Sequence, residues 1–457
     1  MSSEPVDRLS ELPDSLIYHI FSFLPMIDVV RTSNISKRWH KLWYTTPYLN
    51  FDDYTVDYNF INSARDFVNR TLILWRGSKI LKFEIDFHSK YDGLYYFDFD
   101  VWLRFAMVNG VEELYIHVVY ADDLIRGDGY DSIEEAYWLI ESLYSCSSLK
   151  VLSLKGCNLN VDVSLHWDSL KSLTIDGYCL EEGLINGVLA GCPQLEVFIL
   201  TLREIGEDLS IRSSSLKRLS IDKYICYDGD EPSRDTELRI WTPNLEALSI
   251  SGVPYSKCLL MDVSSSLTEV TLGFTGCVWF SGNDFLGEIL RQILPTIKYV
   301  EDVTLSDWCI KALGDMKKKD LLSPFPNVKF LHLNVCFEEH DKIMDLLQIF
   351  PELNRLVLQD EMEAGELLNF DAESKVKFET NLPKSFLLQL RRVEFTWSGG
   401  DNSIFPLIEI VLKYASKLEK MVFRVKKIVP SNLLVLAQKL LRMLKYSPTT
   451  EFIFCEN

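Results

Sequence analysis

Four basic side chains late in the chain, Arg355, Arg392, Lys420 and Arg424, fall on one face of consecutive short repeats. Guanidinium groups bind carboxylate or phosphate through paired N–H donors, so the chemistry on offer is capture of an acidic or phosphorylated segment of a target protein. Glu394 occupies the same rows and supplies the opposing reading, in which it neutralises its neighbours. Catalytic patterns are missing: there is no P-loop, dinucleotide glycine fingerprint, HExxH or GxSxG. The seven histidines (His19, His40, His88, His117, His166, His332 and His340) are dispersed without the paired spacing of a metal site. Paired acids such as Asp98 and Asp100, or Glu338 and Glu339, are ordinary in an acidic chain, and Lys317-Lys318-Lys319 reads as a solvated loop. No cofactor, metal or catalytic residue is expected.

The net charge of −19 over 457 residues repels phosphate backbones and anionic headgroups, which argues against nucleic-acid and membrane partners. That excess begins beyond Asn50, because the first fifty residues balance five basic against five acidic side chains. Ten cysteines without a CxxC pair read as reduced core residues. With no N-terminal apolar signal and no apolar run of about 18 residues, the expected location is cytoplasmic, nuclear or both.

The elements that would hold the basic residues in line are short strands. From Ile80 onward a six-residue phrase, apolar at its first, fourth and sixth positions, recurs thirteen times, from Ile80-Phe83-Ile85 to Leu418-Met421-Phe423. The interval is roughly 21 to 38 residues, as in a leucine-rich repeat, whose fourth and sixth positions point from a parallel strand into the core. The third, fifth and seventh then face the open, concave side. There the middle rows offer Ser153, Thr174, Ser220, Ser249, Thr271 and Thr304, and the last rows the basic cluster. Lead-ins such as TPNLE and FPNVK break each preceding element. Between phrases, DSIEEAYWLIESLYS (131–145) and EHDKIMDLLQIF (339–350) have helical spacing and are expected on the convex face, and Tyr91 to Asp100 reads as an exposed loop.

Residues 7–51 read instead as three short helices, with Pro13 opening the first, Pro25 ending it, Asp28 capping or charge-complementing the start of the second and Ser36 capping the third. So small a module cannot bury all its apolar side chains, so part of the set Ile17, Phe21, Leu24 and Trp43 is expected to need a partner.

Here Asp7-Arg8-Leu9-Ser10, Leu12-Pro13-Asp14, Ile20-Phe21-Ser22-Phe23-Leu24-Pro25, Arg31-Thr32-Ser33 and Ser36-Lys37-Arg38-Trp39 resemble an F-box. Val101 to Val118, Leu382-Pro383-Lys384 and Leu418-Glu419-Lys420-Met421 extend the resemblance to the plant F-box/FBD/leucine-rich-repeat family. It implies an α/β fold, with an F-box at 1–52, a leucine-rich-repeat solenoid at 53–370 and an FBD-like segment at 371–457 that continues the solenoid. It also implies a non-catalytic substrate-recognition subunit of an SCF-type ubiquitin ligase. The F-box would dock on a Skp-type adaptor, and through it on cullin, by Leu12, Pro13, Ile17, Ile20, Phe21, Leu24, Pro25, Trp39 and Trp43. The repeats would hold the target. The alternative is a repeat scaffold that binds proteins without a ligase. Relatives often carry a Thr where this chain has Met26, which would remove a helix cap worth about 1 kcal/mol.

Overall fold

In the computed structural model the chain forms two compact units, Met1–Pro232 and Ser233–Asn457. The structure describes residues 8–456 apart from segments of which the longest are 53–60, 121–136, 225–235, 317–324, 361–385 and 426–437. Asp7, Ser10, Lys317-Lys318-Lys319 and Leu382-Pro383-Lys384 lie outside the described residues.

The first unit begins with three helices, Asp14–Phe21, Met26–Arg31 and Lys37–Leu42. Pro13 and Pro25 stand at the N-cap positions of the first two, where their extended ψ turns the chain into the helix and no N–H is lost. Ser36 caps the third, its Oγ accepting from the Trp39 N–H at 3.4 Å. Pro25, and not Asp28, is the cap of the second helix; Asp28 lies inside the first turn, where its charge complements the helix start, and pairs with Arg31 at 2.8 Å. Met26 likewise follows the cap instead of occupying it and is buried, so its side chain packs and no cap is lost.

The same unit carries a sheet of parallel strands: Tyr48–Asp52, Lys82–Ser89, Glu113–Tyr120, Val151–Lys155, Ser172–Gly177, Val197–Leu202 and Arg218–Lys223. Equivalent repeat positions face each other across it, Leu49, Phe83, Leu114, Leu152, Leu173, Phe198 and Leu219 forming one unbroken row. Every member of that row is buried, and each such side chain contributes about 1.5–3 kcal/mol. Helices Ile61–Leu74 and Tyr96–Val108 are tied by Trp102 Nε1 donating to Asn69 Oδ1 at 2.8 Å and by an Arg65–Asp98 ion pair at 2.7 Å. Residues 96–100 are therefore helix and not loop, with Asp98 buried and Asp100 accepting from the Tyr137 hydroxyl at 2.6 Å. The helix expected over 131–145 is also absent from its described part. Tyr137–Trp138 is instead a strand paired with Cys157–Asn158, followed by a 3-10 turn at Glu141–Ser145. That backbone pairing and the Tyr137 hydrogen bond override the helical spacing.

In the second unit the parallel strands are Ala247–Gly252, Glu269–Phe274, Asp302–Leu305, Phe330–Val335, Arg355–Asp360, Arg392–Trp397, Lys420–Val425 and Glu451–Glu456. Phe395, Phe423 and Phe454 stack along the last three strands with ring centroids 5.6 and 5.4 Å apart. Helices Asn283–Ile293, Asp307–Asp315, His340–Leu347 and Ile404–Tyr414 bury Ile289, Ile310, Ile343 and Ile408 respectively. All thirteen phrases fall on strands. Two further rows escape the phrase, Tyr48–Asp52 and Glu451–Glu456, because their first positions are Thr46 and Thr449 instead of apolar residues.

Candidate functional site

Among the nine residues predicted for adaptor contact, four belong to the module's own core. Ile17, Phe21, Trp39 and Trp43 are 0%, 1%, 2% and 5% exposed. Phe21 meets the Trp39 ring edge-on at 5.6 Å, Trp39 Nε1 donates to the Leu9 carbonyl at 3.2 Å, and Trp43 stacks on Tyr44 at 3.9 Å. In the chain by itself these four therefore pack as the module's own core, the alternative reading of such apolar residues. Leu12, Ile20, Leu24 and Pro25 are half-buried and Pro13 is exposed.

What the module presents outward is a different apolar set: Leu9, Leu16 and Phe23, exposed by 52%, 49% and 73%, with Ile35 at 44%. The first helix has two apolar stripes. Ile17 and Phe21, four apart, face inward, whereas Leu16, Ile20 and Phe23 at i, i+4 and i+7 form a second stripe on the outside. That second stripe is legible in the sequence as spacing, and its adjacency to the first hides which of the two is buried. Such a run of exposed large side chains is the ordinary mark of a protein-binding surface.

The basic residues of the second unit do meet. Register sets Arg355, Arg392 and Lys420 side by side at one repeat position, with Gln359, Thr396 and Arg424 aligned four residues later. Between them Glu394, flanked by Val357 and Val422, is 3% exposed. Its carboxylate accepts from Arg355 Nη2 at 2.5 Å and Arg392 Nε at 2.9 Å on Oε1, and from Arg424 Nε at 3.5 Å on Oε2. Burial pushes the Glu394 carboxyl up, and Arg355 and Arg392 more than offset this and hold it below the ordinary value. Lys420 stands apart, 3.8 Å from Glu451. Two neighbouring polar atoms, Arg355 Nε and His332 Nε2, are buried without a hydrogen-bond partner among the described residues. Burial also holds the His332 imidazole below its ordinary value, so the ring is neutral near pH 7.

The small hydroxyls expected on the open side, Ser153, Thr174 and Ser220 in the first unit and Ser249, Thr271 and Thr304 in the second, are all half-buried on their strands. In the first unit their neighbours on the same side include Glu84, Asp86 and Asp176, with His117 bonded to Ser153 at 3.0 Å.

A helical module that keeps a closed core yet displays an apolar stripe, joined to in-register leucine-rich rows, defines the architecture of a leucine-rich-repeat protein with an N-terminal helical module. Comparison with known proteins assigns two regions of the chain. Residues 9–49 match the F-box domain, and residues 99–271 match the family described as "FBD-associated F-box protein At5g56370, LRR repeats". An F-box/LRR-repeat protein of Arabidopsis thaliana is 26% identical over 96% of this chain and 89% of its own length. An F-box/FBD/LRR-repeat protein of the same plant is 36% identical over 36% of each. The chain thus carries an F-box and FBD-associated leucine-rich repeats and is a homologue of Arabidopsis F-box/LRR/FBD proteins. Neither matched region is an enzymatic domain.

Proposed function

We propose that this chain is the substrate-recognition subunit of an SCF-type ubiquitin ligase, in which the F-box binds a Skp-type adaptor, and through it cullin, and the repeats hold a target protein. The observation that carries the reading is the outward stripe of Leu16, Ile20 and Phe23 on a module whose own core is already filled by Ile17, Phe21 and Trp39. An apolar side chain buried at an interface gains about 1.5–3 kcal/mol, so three in one stripe, with Leu9 and Leu12 beside them, suffice for a specific contact. The subunit performs no bond chemistry in this scheme. It raises the effective concentration of a target lysine near the activated ubiquitin. On this reading residues 1–52 serve as the adaptor module, 53–370 as the target-holding solenoid and 371–457 as its FBD-like continuation, in the cytoplasm or the nucleus.

The test is a pull-down of a purified Skp-type adaptor by the full chain. Wild-type protein binds, Leu16→Asp combined with Phe23→Asp does not, and the double variant keeps the helical circular dichroism of the wild type. Failure of the folded wild-type chain to bind any adaptor would leave a repeat scaffold working outside a ligase.

A further inference from the structure

The cluster around Glu394 has more positive charge than its own carboxylate can use. Three guanidiniums converge on a single anion, leaving two positive charges in excess, and each arginine side chain remains 39–43% exposed. Each engages Glu394 through one nitrogen, so most of the five N–H donors of every guanidinium stay available. Arg355 Nε is buried without a hydrogen-bond partner among the described residues, so the guanidinium's outward nitrogens carry what the site can offer a ligand. Of the other charged groups near the cluster, Glu451 sits 3.8 Å from Lys420, Asp302 feels the field of Arg355, and His332 is neutral.

We propose that Glu394 is a template which fixes Arg355, Arg392 and Arg424 as a site for a phosphate monoester carried on a segment of the target protein. The proposal rests on the receptor reading above and names the chemistry of what the repeats receive. A surplus of two charges matches a phosphate monoester, which carries about −1.5 to −2 at pH 7, better than a single carboxylate. Planar guanidiniums also suit its three acceptor oxygens. Glu394 fixes their orientation, so the arginines lose less side-chain freedom on binding.

The experiment uses the full chain and a degenerate peptide pool with one fixed phosphoserine, against the same pool with serine and against inorganic phosphate. The phosphoserine pool is retained about tenfold over the serine pool, and R355A with R392A abolishes the difference. Equal retention of the two pools overturns the proposal. So does a preference that survives in a double variant with the wild-type unfolding midpoint, or elution by inorganic phosphate at the concentration of the peptide, which would mark a site for a free anion. Should the double variant not fold, R424A decides, because Arg424 is held most loosely: weakened phosphoserine retention supports the site and unchanged retention overturns it. Adaptor binding is measured on the same samples. Its loss with phosphoserine retention intact removes the ligase reading alone, and the reverse result removes this site alone.

Discussion

Replacing Glu394 by alanine removes the one acceptor that three guanidiniums share. The side chain is 4% exposed, so its hydrogen bonds to charged donors are made away from water, and deleting one partner of a buried ion pair costs about 3–5 kcal/mol. The arginines, exposed by 39–43%, recover part of that in solvent, which brings the expected loss to about 2 kcal/mol. Repulsion among the cations left behind is screened by salt, with a Debye length of about 10 Å at 0.1 M. The assay is urea unfolding of the full chain followed by tryptophan fluorescence at 20 mM and 500 mM sodium chloride, with Glu394→Gln beside Glu394→Ala. The alanine variant unfolds at lower urea, its deficit is larger at low salt, and glutamine restores part of it by keeping an acceptor. An alanine variant as stable as the wild type, or a deficit indifferent to salt, would refute the idea that Glu394 organises the cluster.

Trp39→Ala opens a cavity beside Phe21 and costs about 3–5 kcal/mol; limited proteolysis then cuts within residues 14–45, whereas it spares the wild type. Burial holds His117 and His332 below the ordinary histidine value, so the unfolded chain binds more protons as pH falls. Their contribution to stability is complete above about pH 6.5 and is lost as pH drops through the folded values; the melting temperature falls from pH 7.5 to 5.5, and less so in His117→Gln/His332→Gln. Burial pushes the thiols of Cys157, Cys192 and Cys258 up to about 12, so iodoacetamide at pH 8 labels them only after denaturation, as peptide mass mapping would read. A ubiquitin thioester on any of these three would contradict both that protection and the non-catalytic reading.

The repeat rows were legible because a parallel strand repeats one instruction. Leu152, Leu173 and Phe198 occupy the fourth position in sequence and oppose one another in space, so the core could be named residue by residue. The rows at Tyr48–Asp52 and Glu451–Glu456 were hidden by a threonine at the first position, since a row that ends a stack has only one neighbour to pack against. The N-terminal module was harder: Leu16 and Ile17 are both large and apolar, one turns outward and the other inward, and only the tertiary packing of the three helices decides between them. The basic cluster was visible as a pattern, and its shared anchor on Glu394 required the register between strands Arg355–Asp360, Arg392–Trp397 and Lys420–Val425. The helix expected at 131–145 failed because its periodicity carried no information about the strand partner, Cys157–Asn158.

The strand Tyr48–Asp52 follows the helical module without a break and pairs along its length with Lys82–Ser89. Around it the Leu81 and Lys82 N–H groups donate to the Pro47 carbonyl at 2.8 and 3.1 Å, Arg76 N–H reaches the Tyr44 carbonyl at 2.6 Å and Trp75 Nε1 reaches the Thr46 carbonyl at 2.8 Å. The helices are thus mortised into the first rows and not hung from a tether. A hinge at this point would have to break several main-chain bonds, so the first rows act as a rigid gauge block on the helical module. In the ligase proposed above, a target held on these first rows would present its lysines by its own shape and by the row on which it rests, with no swing at this joint to widen the choice.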